Sequence, residues 1–502
     1  MLKSYPPRAL YRTQCQSVFL IAMTSILAIH ITNGLADADG TTQPAALVAN
    51  AMFPAAGAKD VCADTPLRLT FDAPPVVGEG RIKVMDASDN SIVESVDVGV
   101  KSATQSIGGL PNYKYYPVII SGNDATIYLP NGTLNYNRVY YITIDAGAFK
   151  NEGREYAGMS SPNGWRFTTK VSPPTAGTPK LTVAADGSGD FCTVQGAIDF
   201  VPSSNLIRTT IFLRKGTYTE LIYASNKNDL TIMGEDRKQS VIAYANNAKF
   251  NPASDQGTYH RGVFLAAGCR DLVISNLTIR DTTPRGGSQA EALILNGNTK
   301  SRAIVANVDL YSFQDTLQFN CQTYISNCYI EGDVDFMWGK GPCFFENCHC
   351  YGVRSKAFYT QIRNPEANHG FVYHQCIFDG PEGVTGMYLS RIAPGVYPHS
   401  EVVLMDCTLG PAVSPVAWLL NATTRGATAP TTAPDVHFWE YNSHDANGNP
   451  IDVSQRLDVS RQLKAPDDAE LIANYSKPSF VLGNDWEAQS DPNLPPANGG
   501  GH

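Results

Sequence analysis

The chain has 502 residues, 43% hydrophobic and 17% charged, enough apolar material for two domains with ample core. Its net charge of -9, with no basic run, excludes nucleic acid as a partner, because phosphate binding needs clustered Lys and Arg. Any polyanionic ligand would have to be held by local Arg side chains. At the N-terminus, Lys3, Arg8 and Arg12 precede an apolar run over 18–31, and small residues follow at Gly34 and Ala36. Residues 1–36 therefore read as a secretory signal peptide. The run is shorter than the ~20 residues a membrane span needs, and it carries Thr24, Ser25 and His30. The expectation is a secreted protein, extracellular or periplasmic, with no membrane attachment once the signal is removed. Cys15 would leave with the signal, and the other ten of the 11 cysteines would enter an oxidising compartment where disulfides are possible.

Residues 44–170 carry period-2 segments at Leu67–Phe71, 81–84, 125–128 and Val139–Ile144, separated by Pro, Gly and Asn turns and closing on 165–169. Short strands at this spacing predict a β-sandwich. The region resembles bacterial Ig-like domains, which implies a spacing or attachment role, or a folded linker without a ligand. Residues 171–179 are Pro-rich and small, a stiff extended linker that marks a domain boundary. A helix is predicted over Val194–Phe200.

From there a short pattern recurs, a β-rich run ending in a polar marker followed by a core-type residue. Ser-Asn-Leu ends at Leu277, Ala-Asn-Val at Val308, Ser-Asn-Cys at Cys328, Glu-Asn-Cys at Cys348, His-Gln-Cys at Cys376 and Met-Asp-Cys at Cys407. The markers Asn276, Asn307, Asn327, Asn347, Gln375 and Asp406 are 31, 20, 20, 28 and 31 residues apart. Strand-rich repeats of that length predict a solenoid of stacked parallel strands. Cys328, Cys348, Cys376 and Cys407 then form an inward stack, either as small hydrophobes or bridged in pairs, since adjacent rungs fall within disulfide range. Past Pro411 the repeat fades into loops, with short helices near 454–463 and 467–473, and 491–502 reads as a disordered tail.

Asp315 and Asp335 are twenty residues apart, one full coil, so they are expected as vertical neighbours about 4.8 Å apart. Two carboxylates in such contact cannot both ionise freely, and one acid beside one carboxylate suits a general acid next to a nucleophile. Asp333 would point the same way by strand period, so a turn that directs it outward is expected. No Cys-x-x-Cys pair and no His-Glu-x-x-His helix is present, and His369 and His374 lack a third ligand at suitable spacing, so no metal site is expected. No Gly-x-Ser-x-Gly elbow is present either, which counts against an ordinary serine esterase. Of the Asn-x-Ser/Thr sequons at Asn131, Asn276, Asn421 and Asn474, Asn276 is a rung marker and is expected to be stacked, not glycosylated.

Gly216-Thr-Tyr-Thr-Glu220, Gln289-Ala-Glu-Ala-Leu293, Gln314-Asp-Thr-Leu317, Asp335-Phe-Met-Trp-Gly339 and Leu389-Ser-Arg391 occur in the order found in pectin methylesterases. Over 180–490 the chain resembles that family. The resemblance implies an all-β protein, a right-handed parallel β-helix preceded by the small Ig-like β-sandwich. It also implies removal of methyl esters from polygalacturonate without metal or organic cofactor, by a monomer acting on methyl-esterified polygalacturonan. Asp335 would be the nucleophile, Asp315 the general acid and base, Gln289 and Gln314 the oxyanion donors, and Arg391 the partner that keeps Asp335 ionised. The family's Leu-Gly-Arg-Pro-Trp is here Leu389-Ser-Arg-Ile-Ala393, so a Trp that lines the sugar cleft is missing. Trp338, Tyr218 and Trp418 are the candidates for the flat apolar surface a sugar prefers. Two other functions fit a β-helix: a calcium-dependent pectate lyase, and an inactive glycan-binding protein.

Overall fold

The computed structural model describes residues 46–494 other than 254–259, 299–300, 423–427, 429, 431, 484–485 and 493. The expected signal peptide and most of the expected tail lie outside these residues. The first domain is a β-sandwich of two antiparallel four-stranded sheets with a smaller three-stranded sheet. Its strands alternate as period 2 requires: in Leu67–Phe71 the first, third and fifth side chains are buried. They pack with Trp165, Phe149 and Phe167 into one core.

The second domain is a parallel β-helix with one eleven-stranded and two eight-stranded sheets, every neighbouring pair parallel. The sequence markers are its corners. Asn276, Asn307, Asn327, Asn347, Gln375 and Asp406 all take φ between 51 and 55. An ordinary L-residue in that left-handed region costs about 1–2 kcal/mol, and Asn or Asp tolerates it best. Each corner donates its N–H to the next coil, Asn307 to Ser326 O and Asn327 to Glu346 O at 3.0 Å, which joins the coils where the chain bends. The residue after each corner points inward, and Cys328, Cys348, Cys376 and Cys407 are all buried as thiols.

The stack does not end near Pro411. Trp418–Leu420, His437–Tyr441 and Ser460–Gln462 extend the sheets, and Asn442 makes another left-handed corner. Within 454–463 the sequence forms turns and the strand Ser460–Gln462, which pairs with His437–Tyr441, so sheet pairing overrides the local helical preference. Helices do form at Val194–Phe200, capped by the Thr193 side chain, and at Ala469–Tyr475. Among the described residues no helix is long and apolar enough to cross a membrane.

The two domains interlock. A hairpin of the first, Ala103–Ile107 with Leu110–Tyr115, inserts Ile107 and Tyr113 into the core of the β-helix. Its tip is Gly108-Gly109, both at positive φ, and a Cβ on Gly108 would sit 2.3 Å from Tyr223 O, so only glycine fits. Around it Lys114 N donates to Asn251 Oδ1 and Tyr116 N donates to Tyr244 Oη, both at 2.8 Å. Burying the Ile107 side chain contributes about 1.5–3 kcal/mol.

Candidate active site

Leu293–Asn296, Leu317–Phe319 and Val334–Gly339 are consecutive strands of one eight-stranded sheet, with Leu293 opposite Leu317 and Leu317 opposite Met337. Two residues earlier on each strand, the same register aligns Glu291, Asp315 and Asp335 in one column. The backbone follows it: Ala292 N donates to Thr316 O at 2.8 Å and Asp315 N to Val334 O at 3.1 Å. Asp315 and Asp335 have φ of 66 and 48, and on its other side Val334–Gly339 shifts register against Phe358–Ile362 between Val334 and Met337. Such a bulge re-aims side chains out of strict alternation. It also separates Asp333 from Asp335. Asp333 is not turned to solvent as expected; it is buried beside Arg285, 3.4 Å away, because a carboxylate taken out of water needs a cationic partner.

Two arginines serve the three acids of the column, Arg391 on Asp335 and Arg261 shared by Glu291 and Asp315. Arg391 Nε donates to Asp335 Oδ1 at 2.9 Å and Nη2 donates to Oδ2, a two-point contact that orients the carboxylate. The guanidinium rests on the Phe358 ring, 4.2 Å from its centroid. Burial pushes the Asp335 pKa up, and Arg391 works against it. Arg261 grips Glu291 with Nε at 2.8 and 2.9 Å and Nη2 at 2.6 Å, and the same Nη2 donates to Asp315 Oδ2 at 3.1 Å. Asp315 is held well above the usual carboxylate range, first by burial and then by the Glu291 charge, with Asp335 adding to it and Arg261 and Arg363 opposing. The arrangement therefore favours the protonated form of Asp315 beside an acid that is clamped by an arginine.

Gln289 and Gln314 are half-buried at the same end of the sheet; Gln314 O accepts from Ala290 N at 3.1 Å, and Ser288 Oγ donates to Gln289 Oε1 at 3.1 Å. Trp338 also belongs to this group: its indole lies close enough to Glu291 to lower that acid's pKa, and the guanidinium of Arg363 covers its ring, 4.6 Å from the centroid. The other two expected sugar-facing aromatics are core residues. Tyr218 is 2% exposed and its hydroxyl donates to Val183 O and Arg214 O, while Trp418 is 0% exposed, stacks on Phe438 and donates to Glu440. Both lie on inward-facing strand positions, where large aromatics contribute most by filling the interior.

Sequence reasoning missed Glu291, Arg261 and Arg363, and the half-buried Phe358, Tyr388 and Tyr397 near them. Phe358 stacks on Tyr388, and Arg363 lies over Tyr397 as well as Trp338. The signal for Glu291 is its position two residues before the strand, as for Asp315, but its coil is four residues longer than the one that follows. Among the described residues, one set of three metal-type ligands lies close together, Cys62, Asp64 and Cys192, and it is at the domain junction rather than in this column.

Residues 180–484 match the family model described as Pectinesterase, and residues 40–169 the one described as Bacterial Ig-like domain. Pectinesterase 31 of Arabidopsis thaliana is 33% identical over 254 residues, 48% of this chain and 77% of that protein. The pectinesterase/pectinesterase inhibitor 45 of the same plant is 28% identical over 251 residues, 48% of this chain, and the match spans only 40% of its length. A solved pectin methylesterase from carrot superposes with a TM-score of 0.53 at 21% identity, over 63% of this chain and 97% of that one, a likeness of fold.

Proposed function

The chain belongs to the pectinesterase family of carboxylic ester hydrolases, and on that footing we propose that it is exported and removes methyl esters from polygalacturonan, with Asp335 as nucleophile and Asp315 as acid and base. The observation that carries the reading is the in-register column of Glu291, Asp315 and Asp335, with an arginine on its outer acid and a raised pKa on its middle one. Asp335 Oδ attacks the C6 ester carbonyl carbon, and the carbonyl oxygen takes the negative charge. Gln289 and Gln314 donate amide N–H bonds to that oxyanion; a neutral amide stabilises it without competing for the nucleophile. The intermediate collapses to a mixed anhydride on Asp335 while Asp315 gives its proton to the departing methoxide, and methanol leaves. Asp315, now a carboxylate, takes a proton from water, whose oxygen attacks the substrate carbonyl of the anhydride, and Asp335 departs as carboxylate to Arg391. Asp315 is thereby reprotonated once per cycle.

Methanol release from highly methylated pectin tests this. Asp335→Ala should fall to background, because the atom that forms the covalent bond is gone. Asp315→Asn should retain a measurable rate, since general acid assistance is worth about 10²- to 10⁴-fold. Esters with better leaving groups should partly rescue Asp315→Asn and leave Asp335→Ala inactive. Equal rescue of both, or turnover in Asp335→Ala, would reverse the assignment.

A further inference from the structure

Outside the column, one pair of thiols joins the two domains. Cys62 is the only cysteine in the described part of the first domain, and Cys192 lies two residues before the helix Val194–Phe200 of the second. Their sulfurs are within 4.8 Å of each other and both side chains are buried. The backbone on either side is fixed independently of the sulfurs. Val61 pairs with Thr169, its N–H donating to Thr168 O at 3.1 Å, while Asp64 accepts from Cys192 N at 3.0 Å, Thr193 N at 2.8 Å and Thr193 Oγ1 at 2.7 Å.

These contacts argue against a metal between Cys62, Asp64 and Cys192. A cation would draw Asp64 away from the helix start it now serves, and among the described residues it would find two sulfurs and no fourth ligand of its type close by. The acidity of the pair also sets it apart. The eight cysteines from Cys269 onward have thiols pushed up by burial. Cys62 is instead held below its ordinary value, first by the hydrogen bond with Cys192 and with help from Lys170, whereas Cys192 is raised.

We propose that Cys62 and Cys192 form a disulfide that fastens the sandwich domain to the β-helix. The inference rests on the reading that the protein is exported. Its co-reactant is a disulfide carrier of the oxidising compartment, a protein that holds a reducible S–S bond. Cys62 thiolate attacks one carrier sulfur, breaking that bond and releasing one carrier thiolate. Cys192, giving up its proton, then attacks the Cys62 sulfur and displaces the second. Two protons and two electrons leave the pair, and the carrier disulfide is reduced to a dithiol. Because both sulfurs are buried afterwards, exchange happens as the domains dock. The bond closes a loop of 130 residues between positions 62 and 192, and long loops are where a cross-link restricts the unfolded chain most.

The full chain is recovered from an oxidising compartment, quenched in acid, denatured, and its free thiols titrated. With Cys15 removed, ten cysteines remain, and a bridge leaves eight free. Cys62→Ser and Cys192→Ser should each raise the count by one, because the partner is released. An unbridged protein loses one thiol on either substitution, and that result overturns the proposal. So does a linked peptide that joins two other cysteines, or a native mass that carries zinc and loses it to chelator. To separate failure of export from failure of the bridge, the same chain made in a reducing cytosol is refolded in a glutathione redox mixture. A gain of one thiol in the refolded variants sustains the bridge without export; a loss in both preparations overturns it.

Discussion

Glu291→Gln removes one charge from the column while keeping the side chain's shape. Register partners on neighbouring strands are about 4.8 Å apart. At an effective dielectric of about 20, a unit charge at about 5 Å is worth about 3 kcal/mol, which is about two pH units on a neighbouring acid. Both Glu291 and Asp315 are buried, so solvent screens little of it. The direction is fixed by the partners. The Glu291 charge raises the Asp315 pKa, and its removal leaves Arg261 un-neutralised to lower it further. Asp315 must hold a proton when methoxide departs, so in the variant that proton is lost at lower pH. The alkaline limb of kcat/KM against pH should move toward acid by about two pH units. The acid limb, which follows ionisation of Asp335 against Arg391, should stay in place. Methanol release from highly methylated pectin across pH gives both limbs, with melting curves at each pH to exclude unfolding. A uniformly slower enzyme whose alkaline limb does not move would refute the electrostatic argument.

Two other outcomes are open to direct measurement. Since every proposed step is carried by a side chain, EDTA should leave methanol release unchanged; loss on chelation with recovery by calcium, and an unsaturated product, would favour the lyase chemistry. Glu401 is buried, which pushes its pKa up, but hydrogen bonds from His369, His437 and Tyr475 outweigh burial and bring it to about 2. A depressed carboxylate stabilises the fold above its unfolded value of about 4.3, and that contribution is lost as pH falls through about 2. Acid unfolding should therefore weaken the C-terminal helix anchored by Tyr475 in that window. Glu401→Ala, which strands the buried Tyr475 hydroxyl and takes the acceptor from the half-buried His369 and His437, should cost about 1–3 kcal/mol in urea unfolding at neutral pH.

The corners of the solenoid were legible because left-handed backbone selects a small set of residues, so Asn276 through Asp406 stand out in the sequence. Asn442 obeys the same rule, but a coil of 36 residues before it hides the period. Asp315 and Asp335 could be paired because their coil has no insertion. Glu291 could not, since loop length between strands varies while register does not. Two of the aromatic assignments, Tyr218 and Trp418, went astray for another reason. Tyr218, Trp338 and Trp418 look alike in composition, and whether a ring faces a groove or the interior depends on strand phase and on bulges such as the one at Asp335. Arg261 and Arg363 lie outside any motif and enter the site only through the third dimension. The interlocking of the domains was equally hidden, because a Pro-rich linker reads as separation and nothing local marks Ile107 and Tyr113 as belonging to another core.

That hairpin bears on how the chain can be cut and how it assembles. A parallel solenoid has two open ends, each a slice through its hydrophobic interior that invites pairing with another chain. Here Ile107 and Tyr113 of the preceding domain pack into that interior, together with the helix Val194–Phe200. Trimming the chain at the Pro-rich segment would remove Ile107 and Tyr113 and expose the apolar surface they cover. The order of synthesis suits this arrangement, because the sandwich sequence emerges before the first coil. A slow, long-range parallel fold is thereby given a fixed surface on which to start winding.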